Sequence, residues 1–512
     1  MILTEEDRKC RSAAQTGMAA ALASGVAVHL FGLVNILHNY DDIAQQPAGY
    51  GTGVTIGRWL LTLSGDLMKR LRFGYNLPVV NGLLFLVLLA VAVWLMVDLF
   101  QIKSRGQAAL IGVLFTAFPT AFSTLLFRYT SVYYGVGIVL AVLAVWILGR
   151  VRFDWLISVV CIACSMGIYQ AYVPITITLF VLMLLRQCLI SQSKDIVKKT
   201  VIRGLQDCGI LILGLALYFV LLKATLFLYK TQLTGYQGVD QMGQISDREL
   251  PGLIKRAYYQ FLMLPVRSFW GVTDTPILKI ALALLGLLSL GMLWMLLRGR
   301  RLQVWLLAGG LCLCLPLAVN FVIVMCPKSD IYTIMVYAVA LVPCVPIILL
   351  SCFPAQPNRM RRAVAVLLAV MCFSYGYQTN VNYAAVYYSN RQVENYMSGL
   401  VTQVRMTEGF TPEKKWAFLG VIDDPLLYCY WQFEPDYGGA EFTVPLLRRY
   451  SWQWWMWNYC GYMPTMASDE EISALFETQE VKDMPCWPAE GSIRTIGDTM
   501  VVKFSQTNIK PQ

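Results

Sequence analysis

Long apolar runs separated by short polar loops fill the first three quarters of the chain. Many of these runs approach about 20 residues, the length that an α-helix needs to cross a bilayer core of about 30 Å. The pattern therefore predicts an all-α polytopic integral membrane protein with about eleven transmembrane helices. The predicted spans cover residues 13–37, 77–100, 108–126, 133–148, 153–171, 172–187, 208–229, 277–297, 302–325, 331–350 and 364–383.

The stretch 153–187 decides the orientation of every later span. It is interrupted only by Tyr169, Gln170 and Pro174, and as one long helix it would place the later arginine clusters opposite the earlier ones. Two short spans with a tight external turn keep all clusters on one side, which the positive-inside rule makes the cytoplasm. We therefore expect the N-terminus inside and the C-terminus outside. The clusters are Arg8/Lys9/Arg11, Lys103/Arg105, Arg150/Arg152, Lys194/Lys198/Lys199/Arg203, Arg298/Arg300/Arg301 and Arg359/Arg361/Arg362.

Two long external loops, residues 38–76 and 230–276, contain amphipathic helical patterns. Such patterns beside membrane spans are typical of helices that lie in the plane of the membrane interface. The first apolar face consists of Leu60, Leu63, Leu67 and Leu71, and the second of Leu250, Ile254, Tyr258 and Phe261.

The chain after the last span has an ordinary polar composition and is long enough for one small domain. We expect residues 1–388 to form the membrane domain and residues 389–512 a small C-terminal extracytoplasmic α/β domain. Residues 416–422 and 499–504 are predicted strands. Ser468, followed by three acidic residues, marks the capped start of a helix.

Composition and charge exclude several classes of protein. Hydrophobic residues make up 57% of the chain and charged residues 14%, whereas soluble proteins average about 25% charged residues. A cytosolic enzyme, a disordered regulator and a nucleic-acid-binding module are therefore excluded. The net charge of +10 comes largely from the basic loop clusters, so it reports membrane topology rather than an acidic partner.

An acidic pair, Asp41 and Asp42, follows the first predicted span. A carboxylate here could act as a general base that takes the proton from an attacking sugar hydroxyl. Adjacent acids also repel each other, which can raise one pKa toward a useful range. The alternative is an ordinary solvated loop turn. His38, in the same segment, is a candidate for substrate binding.

Four further residues are candidates for binding a donor phosphate or a sugar. Arg58 and Arg128 could each hold a phosphate by a charge-assisted contact, although membrane-interface anchors would look the same. Tyr169 and Gln170 are polar residues within an otherwise apolar stretch, and they could contact a sugar or cap a helix end.

Signals for metals and nucleotides are poor. Cys161-x-x-Cys164 lies inside a predicted span, where packing is the expected role, and the chain has only two histidines. We find no phosphate-cradling loop motif and no dinucleotide fingerprint, which disfavours ATP-driven transport. We therefore name no metal-ligating residue and leave a divalent cation, Mg²⁺ or Mn²⁺, open as the one cofactor.

The order of several short motifs resembles the bacterial Gtr-type glucosyltransferases, a branch of the GT-C superfamily. Asn39-Tyr40-Asp41-Asp42 follows the first span, and Gly57-Arg58-Trp59, Phe118-Pro119 and the run Ser165-Met166-Gly167-Ile168-Tyr169-Gln170 come in the family's order. The resemblance covers residues 13 to about 388. It implies a GT-C-like fold, a polyprenyl-phosphate-linked sugar donor and a reaction outside the cytoplasmic membrane. It also implies that Asp41 or Asp42 is the catalytic base and that Arg58 contacts the donor phosphate.

We therefore expect a membrane glycosyltransferase (a hexosyltransferase) in the plasma membrane of a bacterium. It would move a sugar, with glucose implied by the resemblance, from a polyprenyl-phosphate donor to a cell-surface polysaccharide or glycolipid acceptor, with inversion. A lipid-linked donor diffuses in the bilayer, so no nucleotide pocket and no nucleic acid is needed. The alternative is a transporter or flippase of a lipid-linked sugar, although no inverted repeat and no pair of matched broken helices is evident.

Overall fold

A computed structural model describes residues 5–44, 53–243, 246, 248–420 and 449–506. Helices dominate this part of the chain, and short 3₁₀ turns at Val54–Ile56, Gln170–Tyr172, Tyr236–Gln241, Thr333–Met335 and Tyr337–Leu341 join some of them. The first fifteen helices are α1 (Glu5–Val34), α2 (Tyr40–Ala44), α3 (Trp59–Arg70), α4 (Pro78–Leu99), α5 (Arg105–Ala117), α6 (Pro119–Leu126), α7 (Arg128–Trp146), α8 (Asp154–Ile168), α9 (Val173–Ile190), α10 (Ile196–Leu228), α11 (Leu250–Met263), α12 (Pro276–Leu297), α13 (Leu302–Val319), α14 (Phe321–Met325) and α15 (Val345–Leu350).

The remaining elements are α16 (Asn358–Met406), β1 (Lys415–Leu419), α17 (Arg449–Cys460), α18 (Asp469–Glu477), α19 (Gln479–Lys482), β2 (Ile493–Ile496) and β3 (Thr499–Lys503).

Eight helices of the described residues are long and apolar enough to cross a membrane: α1, α4, α7, α9 with its preceding turn, α10, α12, α13 and α16. The pair α5 and α6 passes the same test as one bent span, and α8 and the segment Tyr337–Leu350 are shorter apolar helices. The expectation of a predominantly helical membrane protein is confirmed at this level. The count of about eleven crossings stays a prediction.

The predicted span 108–126 is not one straight helix. It is divided into α5 and α6, which are bent by 41° relative to each other. Phe118, between them, has an extended backbone, and Pro119 is the first residue of α6. The residue before a proline is forced out of the helical region, so the break has a local cause that the sequence already contained.

The predicted span 331–350 is also less regular than expected. Only Val345–Leu350 is α-helical, and two 3₁₀ turns precede it. Pro343 and Pro346 each lack a backbone N–H and clash with the preceding turn, which prevents one continuous helix. By contrast, the predicted division of 153–187 is confirmed, because α8 ends at Ile168 and Tyr169 is extended.

The described residues fall into two compact units. The first holds residues 5–35 and 53–380, and the second holds residues 36–44, 381–420 and 449–506. The predicted domain boundary between residues 388 and 389 stays a prediction.

The predicted amphipathic segments of the first unit are both helical. In α3, Leu61 and Gly65 are buried, whereas Leu63, Leu67 and Leu71 of the predicted apolar face are exposed. An exposed leucine face opposite a buried face suits a helix that packs on protein on one side and meets lipid on the other. The second segment forms α11.

The second unit contains a three-stranded sheet in the order β1-β3-β2. β1 is parallel to β3, and β2 is antiparallel to β3. The predicted strands 416–422 and 499–504 correspond to β1 and β3, although residues 421 and 422 lie outside the described residues. β2 was not predicted. Ser468 caps α18 as expected: its hydroxyl accepts a hydrogen bond from the Glu471 N–H, and the Glu471 carboxylate accepts one from the Ser468 N–H.

The core of the second unit is rich in tryptophan. Trp452 and Trp455 of α17 are buried together with Trp416 of β1. The Trp452 ring packs edge-on against Phe418, with ring centroids 4.6 Å apart. The tryptophan cluster of α17 is therefore mainly a core element, and only Trp457 is largely exposed.

Close contact between α1 and α5 depends on a glycine. A Cβ atom at Gly112 would contact the Gly17 carbonyl oxygen and lie 2.9 Å from the backbone N of Ala21. We expect Gly112→Ala to destabilise the protein by about 1–3 kcal/mol, because rigid backbone must move to admit the methyl group. Gly106→Ala is the matched control, because Gly106 lies on the same helix and an added Cβ atom there would have no packing neighbour within 4 Å. The measurement is thermal unfolding in detergent. Equal melting temperatures for the two variants would contradict the close packing at Gly112.

Candidate functional site

The acidic pair lies on the short helix α2, whose N-terminus is capped by Asn39. The Asn39 side-chain oxygen accepts hydrogen bonds from the backbone N–H groups of Asp41, at 2.9 Å, and Asp42, at 2.7 Å. This is the usual geometry of an asparagine N-cap, and it explains why the sequence turns into a helix here. The Ser451 hydroxyl of α17 also donates to the Tyr40 carbonyl, at 2.7 Å. Helix α2, which carries the two acids, is therefore held in place by these hydrogen bonds.

The two carboxylates have different surroundings, as expected for residues adjacent on a helix. Asp42 is completely buried, whereas Asp41 is only partly buried. An oxygen of Asp42 lies 3.9 Å from the Nδ1 atom of His38. Of the pair, Asp41 has exposed surface with which to reach a substrate.

His38 is buried among residues of the C-terminal part of the chain. Its Nε2 atom lies 2.6 Å from the Tyr459 hydroxyl oxygen. The backbone N–H of His38 donates to the Asn390 side-chain oxygen at 2.6 Å, and the Asn390 amide donates back to the His38 carbonyl at 3.1 Å. The Trp455 ring packs edge-on against the imidazole at 5.3 Å between centroids. The orientation of His38 is thus fixed through both its backbone and its ring.

Arg58, in the first unit, contacts a cluster of tyrosine side chains. Its Nη1 atom donates to the Tyr134 hydroxyl at 2.9 Å, and its guanidinium lies 4.6 Å from the centre of the Tyr169 ring. Tyr134 and Tyr169 are stacked, with centroids 4.8 Å apart, and Tyr172 packs edge-on against both rings. Within the described residues Arg58 forms no ion pair, and its buried Nε atom has no hydrogen-bond partner.

A guanidinium is always charged, so a partly buried one without a carboxylate is suited to bind an anion. The face of the Tyr169 ring adds cation–π attraction, and the hydrogen bond to Tyr134 holds the guanidinium in place without neutralising it. The arrangement can therefore hold a phosphate.

The backbone before Arg58 is braced by Gln170. The Gln170 amide donates to the Ile56 carbonyl at 2.9 Å and to the Tyr218 hydroxyl at 3.1 Å. Tyr218 in turn donates to the Gly57 carbonyl at 3.0 Å. Gln170 therefore fixes the turn that presents Arg58.

A close approach of Trp59 to α8 helps to place the same turn. A Cβ atom at Gly167 would lie 2.5 Å from the Cε2 atom of the Trp59 indole. Only glycine leaves room for this ring, so the Gly-x-Tyr-Gln part of the run at the end of α8 has a structural reason beside Arg58.

Arg128 is buried at the start of α7. Its guanidinium donates to the Asn35 carbonyl, just after α1, at a long 3.4 Å. The Arg128 carbonyl accepts a hydrogen bond from Asn81 of α4 at 3.3 Å. These contacts tie three helices together, and a role in binding the donor stays a prediction.

Six of the seven predicted site residues form two groups, and Arg128 belongs to neither. Arg58, Tyr169 and Gln170 come together in the first unit, and His38, Asp41 and Asp42 come together in the second. Sequence reasoning missed Tyr134, Tyr218 and Asn390. The Tyr133-Tyr134 pair at the start of a span was a weak signal for the first, and nothing local marked the other two.

The described residues contain no group of three or more histidine, cysteine, aspartate or glutamate side chains that could hold a metal ion. No donor set for Mg²⁺ or Mn²⁺ is therefore assigned among these residues, and the divalent cation stays a prediction.

The described geometry can be compared with known proteins. A family model for the glucosyl transferase GtrII matches residues 30–343, which is more than half of the chain and includes all seven predicted site residues. No curated protein and no solved structure matches the chain. On the family match, this chain belongs to the GtrII family of glucosyl transferases.

Proposed function

We propose that this protein transfers a glucosyl residue from a polyprenyl-phosphate donor to a hydroxyl group of a cell-surface glycan or a lipid-linked acceptor. Membership of a glucosyl transferase family gives the reaction class, and the apolar helices give a membrane setting. A donor that diffuses in the bilayer suits such a protein because it requires no nucleotide-binding loop. The GT-C architecture, the bacterial plasma membrane and an external active site belong to the same proposal.

The observation that supports the donor assignment is the charge of Arg58, which no carboxylate among the described residues neutralises. Arg58 is a charged group with a buried Nε atom, flanked by tyrosine rings and without an ion pair among the described residues. The leaving group of the proposed reaction is an anionic phosphate. In this proposal the Arg58 charge contacts that phosphate. It stabilises the negative charge that develops as the bond between the anomeric carbon and the phosphate oxygen breaks.

The acidic pair supplies the proton chemistry. In the proposed step the acceptor oxygen forms a bond to the anomeric carbon while the bond from that carbon to the phosphate oxygen breaks. The electron pair of the broken bond leaves with polyprenyl phosphate, and the acceptor proton passes to a carboxylate. Direct attack of this kind inverts the anomeric centre through an oxocarbenium-like transition state. The partial exposure of Asp41 supports it as the base, and the complete burial of Asp42 supports a role beside it.

Transport of a lipid-linked sugar is the competing function, and one assay separates the two. Purified protein in nanodiscs, without any ion gradient, receives glucosyl polyprenyl phosphate with a candidate glycan acceptor. We expect release of polyprenyl phosphate in step with glucosylation of the acceptor. In the same assay a flippase would release no polyprenyl phosphate and leave the acceptor unmodified, and that outcome would exclude the proposal.

A further inference from the structure

The side of His38 facing away from Asp42 is occupied by the Tyr459 hydroxyl. The Nε2 atom of the imidazole lies 2.6 Å from that hydroxyl oxygen, and the Nδ1 atom lies 3.9 Å from Asp42 Oδ2. Both distances fall within the second unit. Tyr459 belongs to α17, well beyond the residues that the family model matches. A residue outside the matched region therefore contacts the segment that carries the proposed base.

The chemistry of these partners selects one tautomer of His38. An ionised carboxylate can only accept hydrogen bonds, and its charge favours a proton on the nitrogen that faces it. A neutral imidazole with its proton on Nδ1 has a lone pair on Nε2, and a phenol can donate to that lone pair. The separation of 3.9 Å is too long for a direct hydrogen bond. The Tyr459 hydroxyl can either donate to Nε2 or accept from it. The short contact therefore fixes the orientation of the ring, and the charge of the carboxylate favours the tautomer.

We propose that Tyr459 is a positioning residue that holds His38 as the Nδ1–H tautomer, with this N–H facing Asp42. The inference rests on the proposed function only for its catalytic consequence. Asp42 then keeps its negative charge next to a fixed dipole, and the geometry of α2, including Asp41, is maintained. The C-terminal segment is in this way part of the catalytic apparatus.

His29 provides an internal comparison. Its Nε2 atom lies 2.8 Å from the Thr116 carbonyl oxygen. A carbonyl can only accept, so Nε2 of His29 must carry a proton. The chain has two histidines. The carbonyl partner requires Nε2–H for His29, whereas the proposal gives Nδ1–H for His38.

The direct test is ¹⁵N NMR of the full chain labelled at histidine, in nanodiscs at pH 8. We expect two sets of ring resonances, one typical of each tautomer. Tyr459→Phe should shift only the His38 set, and Tyr462→Phe should shift neither. Tyr462 is a fitting control because its hydroxyl donates to the Pro412 carbonyl in the same unit. A His38 ring protonated at Nε2 in the unaltered protein, or one unaffected by Tyr459→Phe, would overturn the inference.

The catalytic consequence is tested by activity. Tyr459→Phe should lower kcat about tenfold, a loss comparable with the free energy of one hydrogen bond, and leave the donor KM unchanged. In a His38→Gln background the same change should cause no further loss, because Tyr459 acts through His38. Losses that multiply would contradict this.

The NMR result remains interpretable if Tyr459→Phe proves unstable, because the tautomer is measured on the unaltered protein. Failure of the proposed function would show as no release of polyprenyl phosphate and no glucosylation of the acceptor by the unaltered protein, whereas full transfer by both Asp41→Asn and Asp42→Asn would remove only the acid pair from the mechanism. Failure of the present inference would show as an unchanged kcat for Tyr459→Phe while the aspartate variants are inactive.

Discussion

Replacing Asp41 by asparagine is expected to reduce glucosyl transfer by about 10²–10⁴-fold, the usual contribution of a general base. The amide keeps the size of the side chain and the N-cap of α2, but it cannot take the proton of the acceptor hydroxyl. The effect should therefore fall on kcat, with little change in the donor KM. Initial rates of acceptor glucosylation with purified, folded variants would measure it.

Asp42→Asn is expected to affect glucosyl transfer less directly than Asp41→Asn. Asp42 is fully buried against His38, so its loss should alter the position of α2 as well as the local charge. Asp483→Asn removes an exposed carboxylate of the same unit, which accepts a hydrogen bond from Gln479, and should keep full activity. Full transfer by both Asp41→Asn and Asp42→Asn would remove the acid pair from the mechanism.

Arg58→Gln should lower kcat/KM for the lipid-linked donor by about 10- to 100-fold, because hydrogen bonds to charged groups contribute about 1.5–3 kcal/mol. The glutamine keeps a polar side chain but loses the charge and the fork that match a phosphate. Arg58→Lys should recover part of the loss, since it restores charge without the planar fork. Rates at several donor concentrations separate binding from turnover.

The matched control is Arg70→Gln, which changes an exposed arginine in the last turn of α3, the helix that begins directly after Arg58. It removes an identical charge from the same segment and should leave donor use unchanged. Equal losses for Arg58→Gln and Arg70→Gln would point to general attraction of the anionic lipid. Unchanged kinetics for Arg58→Gln would rule out its contact with the phosphate.

Local sequence signals accounted for most elements and for part of the site. Apolar runs located the long helices, the predicted strands 416–422 and 499–504 corresponded to β1 and β3, and Ser468 marked the start of α18. The misses had competing local causes: Pro343 and Pro346 broke an apolar run that looked continuous, and Phe118-Pro119 bent another. β2 was missed because a strand of four residues carries too little periodicity to distinguish it from a loop.

The sequence by itself determined that this is a helical membrane protein with an acidic pair after its first helix and an arginine before its first amphipathic helix. Apolar length, proline and helix caps act over a few residues, so one chain segment is enough to reveal them. Only the tertiary structure decided which side chains surround those groups. Arg58 and Tyr134 are 76 residues apart, and His38 and Tyr459 are 421 apart. Contacts at such separations come from packing of the whole chain, and no local pattern encodes them.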